Sequence, residues 1–222
     1  MASATLTDVT RSRSRARAVP APSLDPATGW QLPDAAVTAV AFLARWRSEE
    51  RGASARVELR NGREAARPAL EPACAGVLRR LERRLGRVVA REPRLAPGVS
   101  GPLTSRARPL VRIGPYDILR PELALIAAGG PSAAGLGGSF DAADVLLAVE
   151  TACAGESPDE RVARYASARV RETWLLDLER RWVEALRAPW AGRYRSRTLW
   201  YPGEAVPIAA LWSVAVEALA GP

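Results

Sequence analysis

The chain has 222 residues, 48% of them hydrophobic and 25% charged, with a formal net charge of +8, the profile of one soluble globular domain. All 32 basic residues are arginine, and the chain has no lysine and no histidine. That excludes a Ser-His-Asp triad, a Cys-His dyad, a histidine-ligated metal, a Walker-type phosphate loop and Schiff-base chemistry.

No apolar run is long enough to span a membrane, which needs about 18 residues. The arginine-bearing N-terminus has no apolar core of a secretory signal, so the cytoplasm is the expected location. Cys74 and Cys153 stand in no C-x-x-C pair, which argues against a zinc site or a disulfide scaffold. The positive balance favours anionic partners, nucleic acid first. It is unevenly spread: Arg11, Arg13, Arg15 and Arg17 against Asp8 give the first twenty residues +3, leaving 28 − 23 = +5 for the remainder.

Residues 1–29, rich in Ser, Arg and Pro, read as a disordered basic arm, and 30–222 as the folded domain. "PDAAVTAVAFLARWRSEERG" predicts a helix capped by Asp34, with Val37, Val40, Ala41 and Ala44 on one face. Asn61-Gly62 between two short runs predicts a type I′ hairpin. In "LEPACAGVLRRLERRLGRVV" Leu70, Cys74, Val77, Leu78, Leu81, Leu85 and Val88 mark the buried face of a second helix. Arg79, Arg80, Arg83, Arg84 and Arg87 share the rest of it, either as a solvated face or as a DNA contact.

"APGVSGPLTSRARP" reads as a loop, "LVRIG" and "LRPELALIA" as strands, and "AGGPSAAGLGGSFDAA" as a Gly/Ser/Ala loop. "DVLLAVE" is a buried strand ending on an acid. Ser157, Pro158 and Glu160 have the spacing of an N-cap, a first helical residue and a capping box, for a helix reaching about Val170. "TWLLDL", "RWVEAL", "GRYRSRTLWY" and "SVAVEAL" predict further strands, an antiparallel extension of the sheet.

Two acids interrupt this apolar background. Glu122 opens one strand and Glu150 closes another. A carboxylate in an apolar sheet needs a cation or hydrogen-bond donors. Paired carboxylates with water suit Mg²⁺, which can generate hydroxide and steady a phosphodiester's charge. The same acids could equally mark solvent-exposed strand ends.

The block from Arg120 to Leu219 resembles the Uma-type putative restriction endonuclease family, which has the PD-(D/E)XK nuclease fold. The likeness rests on "RPELALI", on "DVLLAVE", on "RVARY", and on "ARVRETWLLDLERRWVEALR", with its Tyr-x8-Trp-Leu-x-Asp spacing. "GRYRSRTLWYPGEAVPIAAL" is similar to the family's closing hairpin, and "VELRNGRE" more loosely to an early segment that puts Glu58 at an acid position. The resemblance implies an α/β (α+β) fold, a restriction-endonuclease-like mixed sheet flanked by helices.

It also implies a site. Glu122 and Glu150 would hold Mg²⁺ or Mn²⁺, Glu58 would assist, and Arg161 would contact the attacked phosphate. Tyr165 would brace Arg161 or pack in the core. Glu122 stands where the family has aspartate and Arg161 where it has lysine, while position 152, two residues after the strand acid, is alanine. Arginine binds phosphate but cannot trade a proton near neutral pH. The implied function is a metal-dependent DNA endonuclease of weakened activity. The alternative is a member that binds nucleic acid or a protein partner without cutting. Two-fold cutting of a duplex would suit a homodimer.

Overall fold

The computed structural model describes residues 32, 35–48, 56–91, 102–127, 139–152 and 157–208, and the backbone of 212–215. The predicted N-terminal arm, Asp34, Cys153 and most of the Gly/Ser/Ala loop lie outside the described residues. The elements in chain order are α1 (Ala39–Ser48), β1 (Val57–Arg60), β2 (Arg63–Ala66), α2 (Pro72–Arg91), β3 (Leu103–Ala107), β4 (Leu110–Gly114), β5 (Asp117–Leu119) and β6 (Leu123–Ala127). There follow β7 (Ser139–Asp141), a 3₁₀ turn (Ala142–Asp144), β8 (Val145–Thr151), α3 (Pro158–Ser167), β9 (Glu172–Asp177), β10 (Trp182–Trp190), β11 (Arg193–Trp200), β12 (Ala205–Ile208) and β13 (Trp212–Ala215).

The fold is mixed α+β, built on two main sheets. One has the order β11-β10-β9-β8-β6-β3 and the other β2-β1-β5-β4-β7, while β12 and β13 pair separately. Each main sheet has one parallel pair, β8 with β9 and β4 with β7; the remaining pairs are antiparallel. The expected C-terminal antiparallel extension is β9-β10-β11.

The six-stranded sheet buries both faces, so its central strands β8 and β9 are buried along their whole length and mostly apolar. On one face α2 lays Val77, Leu78, Leu81 and Leu85 on Leu125, Leu147 and Trp174. On the other, Tyr165 and Ala166 of α3 meet Ala124, Ile126 and Ala148. Alternation along the strands then fixes where the acids go. Ala124 and Ala148 belong to the α3 face, so Glu122 and Glu150, each two residues away, point to that face as well. A third cluster joins Phe42, Leu43 and Trp46 of α1 to Leu59 and Ile118.

The hairpin forms as the sequence predicts: Asn61 and Gly62 carry φ of 48° and 73° between β1 and β2. Several local expectations change. Helix α1 buries Ala39, Phe42, Leu43 and Trp46 and leaves Val40 exposed, because the bulky side chains take the inner face. Its first turn is closed by Thr38, whose Oγ1 accepts from the Ala41 amide at 3.2 Å. Helix α2 buries Val89 instead of Val88. The predicted loop before Arg108 contains β3, an edge strand paired with β6. Ser157 sits at the N-cap of α3 without a side-chain cap bond, since Glu160 is drawn to Arg164 at 2.8 Å. That helix ends at Ser167, three residues short of Val170.

Candidate functional site

The hairpin β1–β2 delivers three charged groups to one place. Val57 pairs with Ala66, so the same register sets Arg56 opposite Arg67, and the Arg67 amide donates to the Arg56 carbonyl at 2.7 Å. Residues two apart on a strand share a face, so Arg56 and Glu58 project together with Arg67. Glu122 stands one residue before β6, Glu150 lies on β8, and the two are neighbours because Leu123 pairs with Val149. The Glu122 amide donates to the Val149 carbonyl at 2.9 Å. Helix α3 supplies Arg161 and, one turn on, Tyr165.

The structure therefore gathers Glu58, Glu122, Glu150 and Arg161, all buried. Arg161 is the most deeply buried of the arginines around these acids. Its Nη1 donates to Glu58 Oε2 at 2.6 Å, and its Nη2 reaches Glu58 Oε1 at 3.0 Å and Glu150 Oε1 at 2.7 Å. The Tyr165 hydroxyl donates to the same Glu150 oxygen at 2.7 Å while its ring packs in the core. Of the two roles expected for Tyr165, the ring takes the core one, and the hydroxyl braces Glu150 and not Arg161. Glu58 also accepts the Arg120 amide at 2.6 Å.

Sequence reasoning missed two members, Arg56 and Arg67. Arg56 Nη2 donates to Glu122 Oε1 at 2.7 Å and its Nη1 approaches Oε2 at 3.4 Å. Arg67 spans the cluster: Nη1 lies 3.1 Å from Glu122 Oε1 and 3.9 Å from Glu58, and Nη2 donates to Glu150 Oε2 at 3.2 Å. Its Nη1 also donates to the Arg120 carbonyl at 2.7 Å. The signal that could have found both is the Asn-Gly turn, which fixes the hairpin register and so the face that 56, 58 and 67 share.

The electrostatics follow from this packing. Burial pushes the Glu150 carboxyl up, but the charges of Arg161 and Arg67 and the bonds from Arg161 and Tyr165 outweigh it and hold it below the usual range. Burial lowers Arg161, yet Glu150 and Glu58 keep its guanidinium charged far above neutrality. Arg67 is likewise raised against burial, chiefly by Glu150. Burial and the Glu150 charge push the Tyr165 phenol well up, so it stays protonated.

A second buried knot aims α3. Arg164 donates to Asp117, to Asn61 Oδ1 at 3.1 Å and to Glu160 at 2.8 Å, and Asp117 also accepts the Asn61 amide at 3.0 Å. It ties the helix to the hairpin turn and so sets Arg161 over Glu58. Arg120, whose backbone threads the acid cluster, is buried with its guanidinium over the Trp46 ring, 5.0 Å from the centroid, and donating to the Arg108 carbonyl at 3.0 and 3.1 Å.

A divalent ion at this site is a question of donors. The chemistry of the set is right, since Mg²⁺ and Mn²⁺ take carboxylate oxygens. The arrangement is not. Every oxygen of Glu58, Glu122 and Glu150 is engaged by a guanidinium, and the Arg67 fork bridges the two acids an ion would bridge. Three carboxylates already face three guanidinia, so a dication would add uncompensated charge to a buried site. Among the described residues no group of three or more His, Cys, Asp or Glu is placed to hold a metal ion. The residues as they stand do not fit the ion that the resemblance implies.

Beside Glu122 lies a cavity of about 340 Å³, lined by Leu78, Arg79 and Glu82 of α2 and by Arg108 and Leu123. The exposed arginines of α2, namely Arg79, Arg83, Arg84, Arg87 and Arg91, run away from it along the helix.

Comparison with known proteins gives two findings. A family model described as "Putative restriction endonuclease" matches residues 40–217. A solved structure of "a putative nuclease belonging to DUF820" from Anabaena variabilis is similar at a TM-score of 0.57 and 13% identity, over 73% of this chain and 88% of that one. At that identity the likeness is one of fold. No curated protein matches the chain.

Proposed function

Because the chain belongs to the family described as "Putative restriction endonuclease", whose model matches residues 40–217, we propose that it is a DNA-binding member whose hydrolytic centre is closed by its own arginines. The observation that carries this reading is the Arg67 guanidinium, shared between Glu122 and Glu150. The basis for DNA is the family together with the arginine face of α2. Arg79, Arg83 and Arg87 recur every four residues on exposed helix, so they span about 12 Å of its length at 1.5 Å per residue. Arg79 also lines the cavity beside Glu122. Contacts from such arginines bind phosphate irrespective of sequence and weaken as salt rises.

A second reading keeps cleavage: a DNA endonuclease that uses Mg²⁺ or Mn²⁺ on Glu122 and Glu150. It is favoured by the meeting of Glu58, Glu122, Glu150 and Arg161 at one point. Incubation of supercoiled plasmid with the full chain and Mg²⁺ or Mn²⁺ decides between the two. The closed-centre reading expects a salt-sensitive mobility shift and no nicked product. Metal-dependent nicking that disappears in Glu150→Ala would overturn it.

A further inference from the structure

We infer that Arg67, aided by Arg56, acts as a built-in cation in the place of a divalent ion, and that removing the hairpin arginines turns the acid cluster into a divalent-cation site. This rests on the closed-centre reading and adds to it a cause and a means of reversal.

The two arginines differ from Arg161 in origin and depth. Arg161 comes from α3, is fixed beside the Arg164 knot, and grips Glu58 through its two terminal nitrogens. Arg56 and Arg67 flank one hairpin and face each other across it. They occupy the outer side of the cluster, with side chains 15% and 7% exposed against 3% for Arg161. Between them they hold Glu122 wholly and the outer oxygen of Glu150. Those are the carboxylates that would face an ion entering from outside.

Charge sets the order of effects. The acids contribute −3, and Arg56, Arg67 and Arg161 contribute +3. Without Arg67 the cluster carries −1, and without both hairpin arginines it carries −2, which one divalent ion neutralises. Hard oxygen donors then stand unoccupied in a space a guanidinium has left, which suits an ion retaining some of its water. Affinity for a divalent ion should therefore rise from the natural chain to Arg67→Ala and again to Arg56→Ala with Arg67→Ala. Arg67→Lys keeps the charge and should not gain it.

The test is Mn²⁺ binding by the full chain and these variants, read from the loss of the free-ion paramagnetic resonance signal and from thermal unfolding with Mn²⁺ or EDTA. The expected result is a Tm gain for Arg67→Ala of about 5–10 °C when Mn²⁺ is a hundredfold above its Kd. The double variant should bind more tightly, and neither the natural chain nor Arg67→Lys should shift. Should Arg67→Ala fail to fold in EDTA, the milder Arg67→Gln, which removes the same charge but keeps part of the side chain, must show the gain. A shift equal in the natural chain, or none in any variant, overturns the inference. Plasmid nicking by the natural chain would instead sink the closed-centre reading, and the two failures are separable.

Discussion

Glu150→Gln separates an ion-pair cluster from a metal centre by its effect on stability. The side chain is almost wholly buried, and it accepts from Arg161 at 2.7 Å, from Arg67 at 3.2 Å and from Tyr165 at 2.7 Å. The amide keeps the shape and removes the charge. Two guanidinia then share two remaining carboxylates with Arg56, leaving a buried excess of +1. Breaking a buried pair from one side costs about 3–5 kcal/mol, and an amide that still accepts one bond recovers part of it, so about 3 kcal/mol is expected. In a chain of this length that lowers Tm by roughly 6–12 °C. A cluster of carboxylates awaiting a metal behaves oppositely, because its members repel and neutralising one relieves strain. The assay is urea denaturation of both proteins in EDTA, with a lower midpoint and an unchanged slope expected. A midpoint that stays or rises would refute the ion-pair account.

The same cluster predicts a pH profile. The Glu150 carboxyl titrates lower in the folded chain, so its contribution is complete above the unfolded value of about 4.3 and is lost as pH falls through the folded one. Tyr165 is raised, so its contribution is complete below the unfolded value of about 10 and is lost as pH climbs beyond it. Urea midpoints against pH should fall at both ends; Glu150→Gln should flatten the acid arm and Tyr165→Phe the alkaline one. On the DNA side, changing Arg79, Arg83 and Arg87 to Ala together should weaken plasmid binding at every sequence. It should also reduce the slope of log affinity against log salt by about 3, as measured by fluorescence anisotropy.

Glu122 and Glu150 are legible because each stands at the end of an apolar strand, where a buried charge advertises a partner. Arg161 and Glu58 are reached only through the family resemblance, since an arginine in the first turns of a helix and an acid in a short hairpin break no pattern. Arg56 and Arg67 break nothing. They flank a short polar hairpin in a chain with arginine as its sole cation, and exposed arginines at such places are ordinary. The edge strand β3 was hidden for a related reason: Leu103 is its one buried residue, and Arg106 and Ala107 face solvent. The face of α1 was misjudged because Val37, Val40, Ala41 and Ala44 fit the helical period but are small, and packing is decided by Phe42 and Trp46. Pattern locates a charge that is out of place; it does not say which of many ordinary arginines will answer it.

Glu150, Arg67, Arg161 and Tyr165 are each held in one protonation state across neutral pH. Hydrolysis by general acid–base chemistry needs a side chain poised close to the working pH. Glu150 is held ionised by Arg161 and Arg67. Arg161 and Arg67 are held charged by Glu150. Tyr165 keeps its proton and spends it on Glu150. Each group fixes its neighbour, and the lysine that could trade a proton at the helix position is Arg161, which cannot. The hydrogen bonds that make the cluster affordable in a buried place are the ones that take its lone pairs out of use. A lysine restored at position 161 alone would therefore meet acids still held by Arg56 and Arg67, and no nicking should return until the hairpin arginines are removed as well.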